Sequence, residues 1–241
     1  AKLLRTHYDG FSAGLQLRYK YDEKTSLYVE PRVTLANYNV PYAAPYQDYV
    51  DHYRDYLYSL TAGLEYSVTE NGFKGRKKQP SPHAPHISLS MLGGVNYLFI
   101  TKEHASDFSI DYSGGLAGDM QITPYSGIRL MADYSRLSFR DAARVTGRYG
   151  FVDVSADYVF NLGTLLQGYD INKKWDVALA AGPVLSRRVG EKFITDEGRI
   201  EEYNGKAIDQ DLGFQVGIPV GYRIAPRWDI LFEPRARFFG K

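Results

Sequence analysis

The chain reads as all-β, an antiparallel transmembrane β-barrel, on three observations. About ten stretches alternate between apolar and polar residues; these stretches are long; and their apolar positions are almost free of charge. Side chains on a strand point alternately to opposite faces, so such a pattern builds one surface for hydrocarbon and one for water. The stretches run over 11–21, 26–38, 56–68, 87–100, 112–123, 127–139, 150–162, 175–186, 211–224 and 227–239. At about 10–14 residues they exceed the five or six usual in globular sheets.

In chain order, the first stretch puts Phe11, Ala13, Leu15, Leu17, Tyr19 and Tyr21 on one face and Ser12, Gln16, Arg18 and Lys20 on the other. The third aligns Tyr58, Leu60, Ala62, Leu64 and Tyr66 against Ser59, Thr61 and Glu65, and the seventh aligns Val152, Val154, Ala156, Tyr158, Phe160 and Leu162 against Asp153, Ser155, Asp157 and Asn161. The clearest is 211–224, where Leu212, Phe214, Val216, Ile218, Val220, Tyr222 and Ile224 alternate with Gly213, Gln215, Gly217, Pro219, Gly221 and Arg223. Of roughly sixty apolar-face positions, a charged share of 24% would make about fifteen charged at random; Arg136 is the single one. A charge facing lipid at mid-bilayer costs about 2–4 kcal/mol, which accounts for the exclusion.

A soluble sandwich or lipocalin-like barrel also alternates, but there the apolar face is the interior. Here the polar face is rich in Gly, Ser and charge, as a lumen is, while the other face is bulky in every stretch. No apolar run approaches the roughly 18–20 residues of a membrane-crossing helix. Tyrosine (21 residues) and phenylalanine (12) far outnumber tryptophan (2), and tyrosine suits the level where hydrocarbon meets water. The absence of cysteine excludes disulfides and thiolate metal sites. The net charge of +1 gives no footprint for nucleic acid, so none is expected as a partner. The opening Ala1-Lys2-Leu3-Leu4-Arg5 lacks the pattern of a secretion signal, so the chain reads as mature or truncated.

Three connections are tight, at 22–25, 124–126 and 225–226, and in outer-membrane barrels short turns face the periplasm. The longer segments 39–55, 101–111, 140–149 and 187–210 are then exterior, and 69–86 and 163–174 periplasmic. With that sidedness the first strand descends and the last ascends, so the expectation is one barrel domain over 1–241, incomplete at both ends and part of a barrel of about 12–14 strands. The competing arrangement is a closed ten-stranded barrel of reversed sidedness.

An internal repeat relates Tyr19-Lys-Tyr-Asp-Glu-Lys-Thr-Ser-Leu-Tyr-Val-Glu-Pro-Arg32 to Tyr222-Arg-Ile-Ala-Pro-Arg-Trp-Asp-Ile-Leu-Phe-Glu-Pro-Arg235. In both copies Glu and Arg (Glu30 and Arg32, Glu233 and Arg235) face the lumen and proline faces outward. Proline donates no ladder hydrogen bond, so Pro31 and Pro234 should each mark a bulge or unpaired backbone. The segments Asn161-Leu-Gly-Thr-Leu-Leu-Gln-Gly-Tyr-Asp170, Asp176-Val-Ala-Leu-Ala-Ala-Gly-Pro183, Tyr222-Arg-Ile-Ala-Pro-Arg227 and Phe232-Glu-Pro-Arg235 resemble the outer-membrane β-barrel proteins of the Bacteroidetes, OmpA-like members included. The resemblance is firmest over 160–240 and implies an outer-membrane location; it says little about activity, because the family is diverse.

The lumen face gathers both signs of charge. The candidate ion-pair network comprises Arg18, Glu30, Arg32, Glu65, Asp133, Asp153, Asp157, Arg223, Glu233 and Arg235, with Lys20, Asp119, Arg129, Asp176 and Arg237 on the same face. A pore constriction usually concentrates one sign, so a ladder of ion pairs filling a narrow barrel is preferred over a selective pore. Asp153 and Asp157 are about 13 Å apart along a strand, too far for a carboxylate dyad. His83 and His86 lack a third metal ligand, and neither a metal nor a cofactor is expected. An outer-membrane protease or lipid A-modifying enzyme would need a catalytic group at the exterior rim, and His52, between Asp51 and Tyr53, is the best local candidate; a non-enzyme is the preferred reading. The tyrosine-dense exterior segment, with Tyr42, Tyr46, Tyr49 and Tyr53, suits either a headgroup-level girdle or a docking platform. The basic turn Lys74-Gly-Arg-Lys-Lys78 is read as solvated.

The expected function is therefore a structural or assembly-partner barrel with a lumen closed by paired charges. A passive porin for small solutes is the first alternative and an outer-membrane enzyme the second. Expected partners are outer-membrane lipid and lipopolysaccharide, and other outer-membrane proteins through exterior loops or the lipid face.

Overall fold

In a computed structural model, the chain forms a closed antiparallel β-barrel. The structure describes residues 8–41, 50–68, 86–100, 110–140, 146–168, 173–194, 200–202 and 210–239. The strands are β1 (Tyr8–Lys20), β2 (Thr25–Pro41), β3 (Val50–Ser67), β4 (His86–Ile100), β5 (Ile110–Thr123), β6 (Ser126–Arg140), β7 (Thr146–Asn161), β8 (Trp175–Ile194), β9 (Ile200–Glu202), β10 (Gln210–Gly217), β11 (Val220–Ala225) and β12 (Trp228–Phe239), with one helical turn, α1 (Leu162–Gln167), after β7. The strands β10 and β11 are halves of one traverse interrupted at Ile218–Pro219, and β9 is a short addition to β8, so ten traverses make the wall.

The expectation of a 12- to 14-stranded barrel is overturned. The first and last strands, β1 and β12, pair antiparallel without interruption from Asp9↔Phe238 to Tyr19↔Trp228, which leaves no gap for further strands. The competing ten-stranded closure is the one observed. Each register keeps the hydrophobic set on one side, as a period of two requires.

That side is the outside. Leu116 and Leu212 are 64% and 67% exposed, whereas the inward Gln215, Asp157 and Arg235 are 1%, 2% and 3% exposed. The polarity is the inverse of a soluble sandwich or lipocalin-like barrel, and those alternatives are excluded. Aromatic rings collect at both ends of the apolar band. Trp175 packs on Tyr222 at 4.4 Å and Tyr19 on Trp228 at 4.8 Å at the end with tight turns; Tyr58 meets Tyr97 at 6.4 Å and Tyr112 meets Tyr134 at 6.0 Å at the other. Tyr58 and Tyr66 are eight residues apart and Trp228 and Phe238 ten; at about 3.3 Å per residue and a tilt near 40°, the band is roughly 20–25 Å tall.

The connections also differ from expectation. The strands β2 and β3 pair out to Pro41↔Val50, so most of the segment expected as exterior loop 39–55 is ladder; β8 likewise extends to Ile194 rather than ending at 186. Tyr53 lies on β3 opposite Tyr38, whereas Tyr42, Tyr46, Tyr49, His83 and the basic turn 74–78 lie outside the described residues. In the turn 22–25, the Asp22 carboxylate accepts the backbone N–H groups of Lys24 (2.8 Å) and Thr25 (2.6 Å), which hold its pKa below the usual 3.8.

Both repeat prolines sit at breaks in the ladder. The β1–β2 pairing skips from Gly14↔Arg32 to Leu17↔Val29, across Pro31, and the partner of Pro234 is the interruption itself, where Ile218 N–H donates to the Pro234 carbonyl at 3.0 Å. A third break lies between Ser155↔Val184 and Tyr158↔Ala181, opposite Gly182–Pro183. There the backbones approach so closely that a Cβ on Gly182 would lie 1.8 Å from the Ala156 carbonyl oxygen, which only glycine permits.

Candidate functional site: a charge network across the lumen

The inward positions of β1, β2 and β12 set up the network. Gly14 of β1 pairs with Arg32 on one side and Glu233 on the other, so the two Glu-x-Arg copies flank a residue with no side chain. The space is used: a Cβ there would lie 2.3 Å from Glu30 Oε1. Glu30 binds Arg32 through Nε (2.8 Å) and a terminal nitrogen (2.5 Å), and Glu233 binds Arg235 at 2.5 Å.

From β12 the network crosses the lumen. Arg129 of β6 bridges Asp119 of β5 at 2.8 Å and both Glu233 oxygens at 3.1 and 3.2 Å. Arg235 lies 3.9 Å from Asp157 of β7 and 3.5 Å from the Gln215 side-chain oxygen, while Gln215 donates to Asp157 at 2.7 Å. One guanidinium nitrogen of Arg235 also meets the Met131 sulfur at 3.8 Å. Toward the end with long connections, Arg237 pairs with Asp153 at 2.7 Å, and Ser186 donates to the same carboxylate at 2.6 Å. Toward the tight-turn end, Arg18 pairs with Glu65 at 3.0 Å, and Asp229 joins Lys20 (2.6 Å) and Arg223 (3.5 Å).

Nine of the ten candidate residues therefore enter ion pairs. The tenth, Asp133, faces the lumen beside Asp153 on the adjacent strand, with no ion pair among the described residues. Several partners were not singled out from the sequence. Arg129 and Arg237 were visible as lumen-facing, but not as the groups that reach across; Gln215 and Met131 carried no charge to mark them. Arg129 and Glu233 are 104 residues apart, and no local spacing encodes a contact made across a closed barrel.

Chemically, the arrangement neutralises charge and fills space. Buried charges are tolerated when paired and hydrogen-bonded, and here Glu233 and Asp157 each meet more than one donor. Among the described residues no cluster of three His, Cys, Asp or Glu side chains could hold a metal. The described part of β3 includes the backbone of His52, paired with Asn39. No protein-family model matches the chain, and no curated protein matches it.

Proposed function

We propose that this chain is an outer-membrane β-barrel of a Gram-negative bacterium, with a structural or assembly-partner role and a lumen closed by paired charges. The observation that carries this reading is the Arg129–Glu233–Arg235–Asp157 network, which spans the barrel between β6, β7 and β12 inside a wall that presents an apolar band outward. Two aromatic rims at a bilayer-like spacing support the membrane setting. The resemblance to Bacteroidetes barrels of OmpA-like type supports the same compartment. The chain acts as a non-enzyme whose partners are membrane lipid, lipopolysaccharide and neighbouring outer-membrane proteins.

Liposome swelling tests the function. Vesicles loaded with the purified protein should swell in an isosmotic small sugar no faster than empty vesicles. Rapid swelling would establish the passive porin instead.

A further inference from the structure

Among the residues whose side chains are described, the charged ones on the outward faces of the strands are Arg136 on β6 and Arg187 on β8. Both lie at the end with long connections and flank the same strand, β7: Arg136 is level with Gly150, and Arg187 with Val152. They are about 12 Å apart across two strand spacings and a two-residue offset along the strand, within joint reach of two long side chains. Arg187 is exposed and has no ion-pair partner among the described residues. Arg136 is held in place by three contacts: its guanidinium carbon lies 5.5 Å over the Tyr112 ring, a terminal nitrogen donates to the Tyr112 hydroxyl at 3.4 Å, and its Nε is 3.8 Å from Asp111, whose carboxylate already accepts from Ser138 at 2.9 Å. Arg136 shares its one carboxylate with Ser138 and Arg187 has none among the described residues, so the two cations at the edge of the apolar band can take a further anion.

Directly below them on the same strands the outward surface is hollowed. Gly118, Ala132 and Ala156 make a low centre between Leu130, Val154 and Leu185, giving a groove of about 530 Å³. Val154 and Leu185 pair with each other, each two residues below the level of Val152 and Arg187, so groove and cations are continuous. The groove is shallow and open along its outer side, and its lining is almost wholly apolar.

We propose that this β5–β8 sector is a specific site for a phosphate-bearing lipid, with Arg136 and Arg187 on the phosphate and an acyl chain in the groove. The inference rests on the membrane reading above. The charge complementarity selects an anionic lipid over a second copy of the chain, which would bring its own arginines to the same rim. The tyrosine hydroxyls at the rim add donors at headgroup height.

Native mass spectrometry of the purified protein in a zwitterionic detergent tests it, with dioleoyl phosphatidic acid and dioleoyl phosphatidylcholine as probes. The wild type should retain phosphatidic acid with roughly thirtyfold preference, as two interfacial arginines provide. Arg136→Gln with Arg187→Gln should reduce that preference to about twofold or less, while Arg136→Lys with Arg187→Lys, which preserves the charges, keeps most of it and separates lost charge from a disturbed fold. Ala132→Phe with Ala156→Phe should fill the groove and lower phosphatidic acid retention several-fold with both arginines intact. Equal retention of the two lipids by the wild type, an undiminished preference in the Gln variant, displacement of lipid by millimolar inorganic phosphate, or a lipid-free dimer held by this face would each overturn the site. Insertion is read in the same preparation by tryptophan quenching with brominated lipid, so a barrel that inserts without headgroup preference contradicts this site and leaves the membrane reading intact.

Discussion

At the scale of single residues, glycine and charge divide the work. Gly182 allows two backbones to approach where the β7–β8 ladder breaks, whereas Gly93 faces outward with nothing within 4 Å of an added Cβ. Gly182→Ala should therefore lower the stability of the detergent-folded barrel by about 1–3 kcal/mol, the usual effect of overpacking, and Gly93→Ala should be near neutral. Heat-modifiable gel mobility measures both; equal midpoints would contradict the close approach at Gly182. The Glu30–Arg32 and Glu233–Arg235 pairs were legible in the sequence, because residues two apart on a strand share a face and the motif occurs twice. The bridge from Arg129 to Glu233 was not, because its length depends on how far the wall curves.

At the scale of elements, the alternating pattern located every traverse, since a charge on the outward face is penalised wherever it falls. It located strand ends poorly. Beyond the apolar band both faces are polar, so alternation fades while the ladder continues, as in β2–β3 out to Pro41↔Val50 and β8 out to Ile194. This is why Arg187, assigned to a loop by pattern, stands on a strand beside Arg136. Pro31 and Pro234 are informative for the opposite reason, since each removes a ladder donor regardless of context; Pro183 and Pro219, at the other breaks, do the same although the sequence analysis does not single them out. Backbone amides beside two of the breaks, in the segments 15–16 and 156–157, should exchange with deuterium roughly fivefold faster than those of the unbroken β3–β4 pairing, the net worth of about one hydrogen bond. Uniform protection across these segments would show that the breaks are closed in solution.

At the scale of the whole molecule, closure decides the reading. Alternation counts ten traverses and ten are present; the expectation of further strands rests on turn lengths and sidedness, whereas β1 and β12 pair from Asp9↔Phe238 to Tyr19↔Trp228 and close the wall. A ten-stranded barrel is narrow, so a few long side chains suffice to span it, and the Arg129–Glu233 and Arg237–Asp153 bridges do so. The membrane setting is tested by the two tryptophans, Trp175 and Trp228, both in the rim at the tight-turn end. Lipids brominated near the headgroup should quench their fluorescence more than lipids brominated near the chain terminus; the reverse order, or no quenching, would contradict the placement of that rim.

The closed lumen is tested most directly by single-channel recording of the purified protein in a planar bilayer, beside the variant Arg129→Ala/Glu233→Ala/Arg235→Ala. The wild type should show no steady large openings and the variant should conduct, because removing the bridge opens the midsection. Steady large openings of the wild type, unchanged in the variant, would contradict the account.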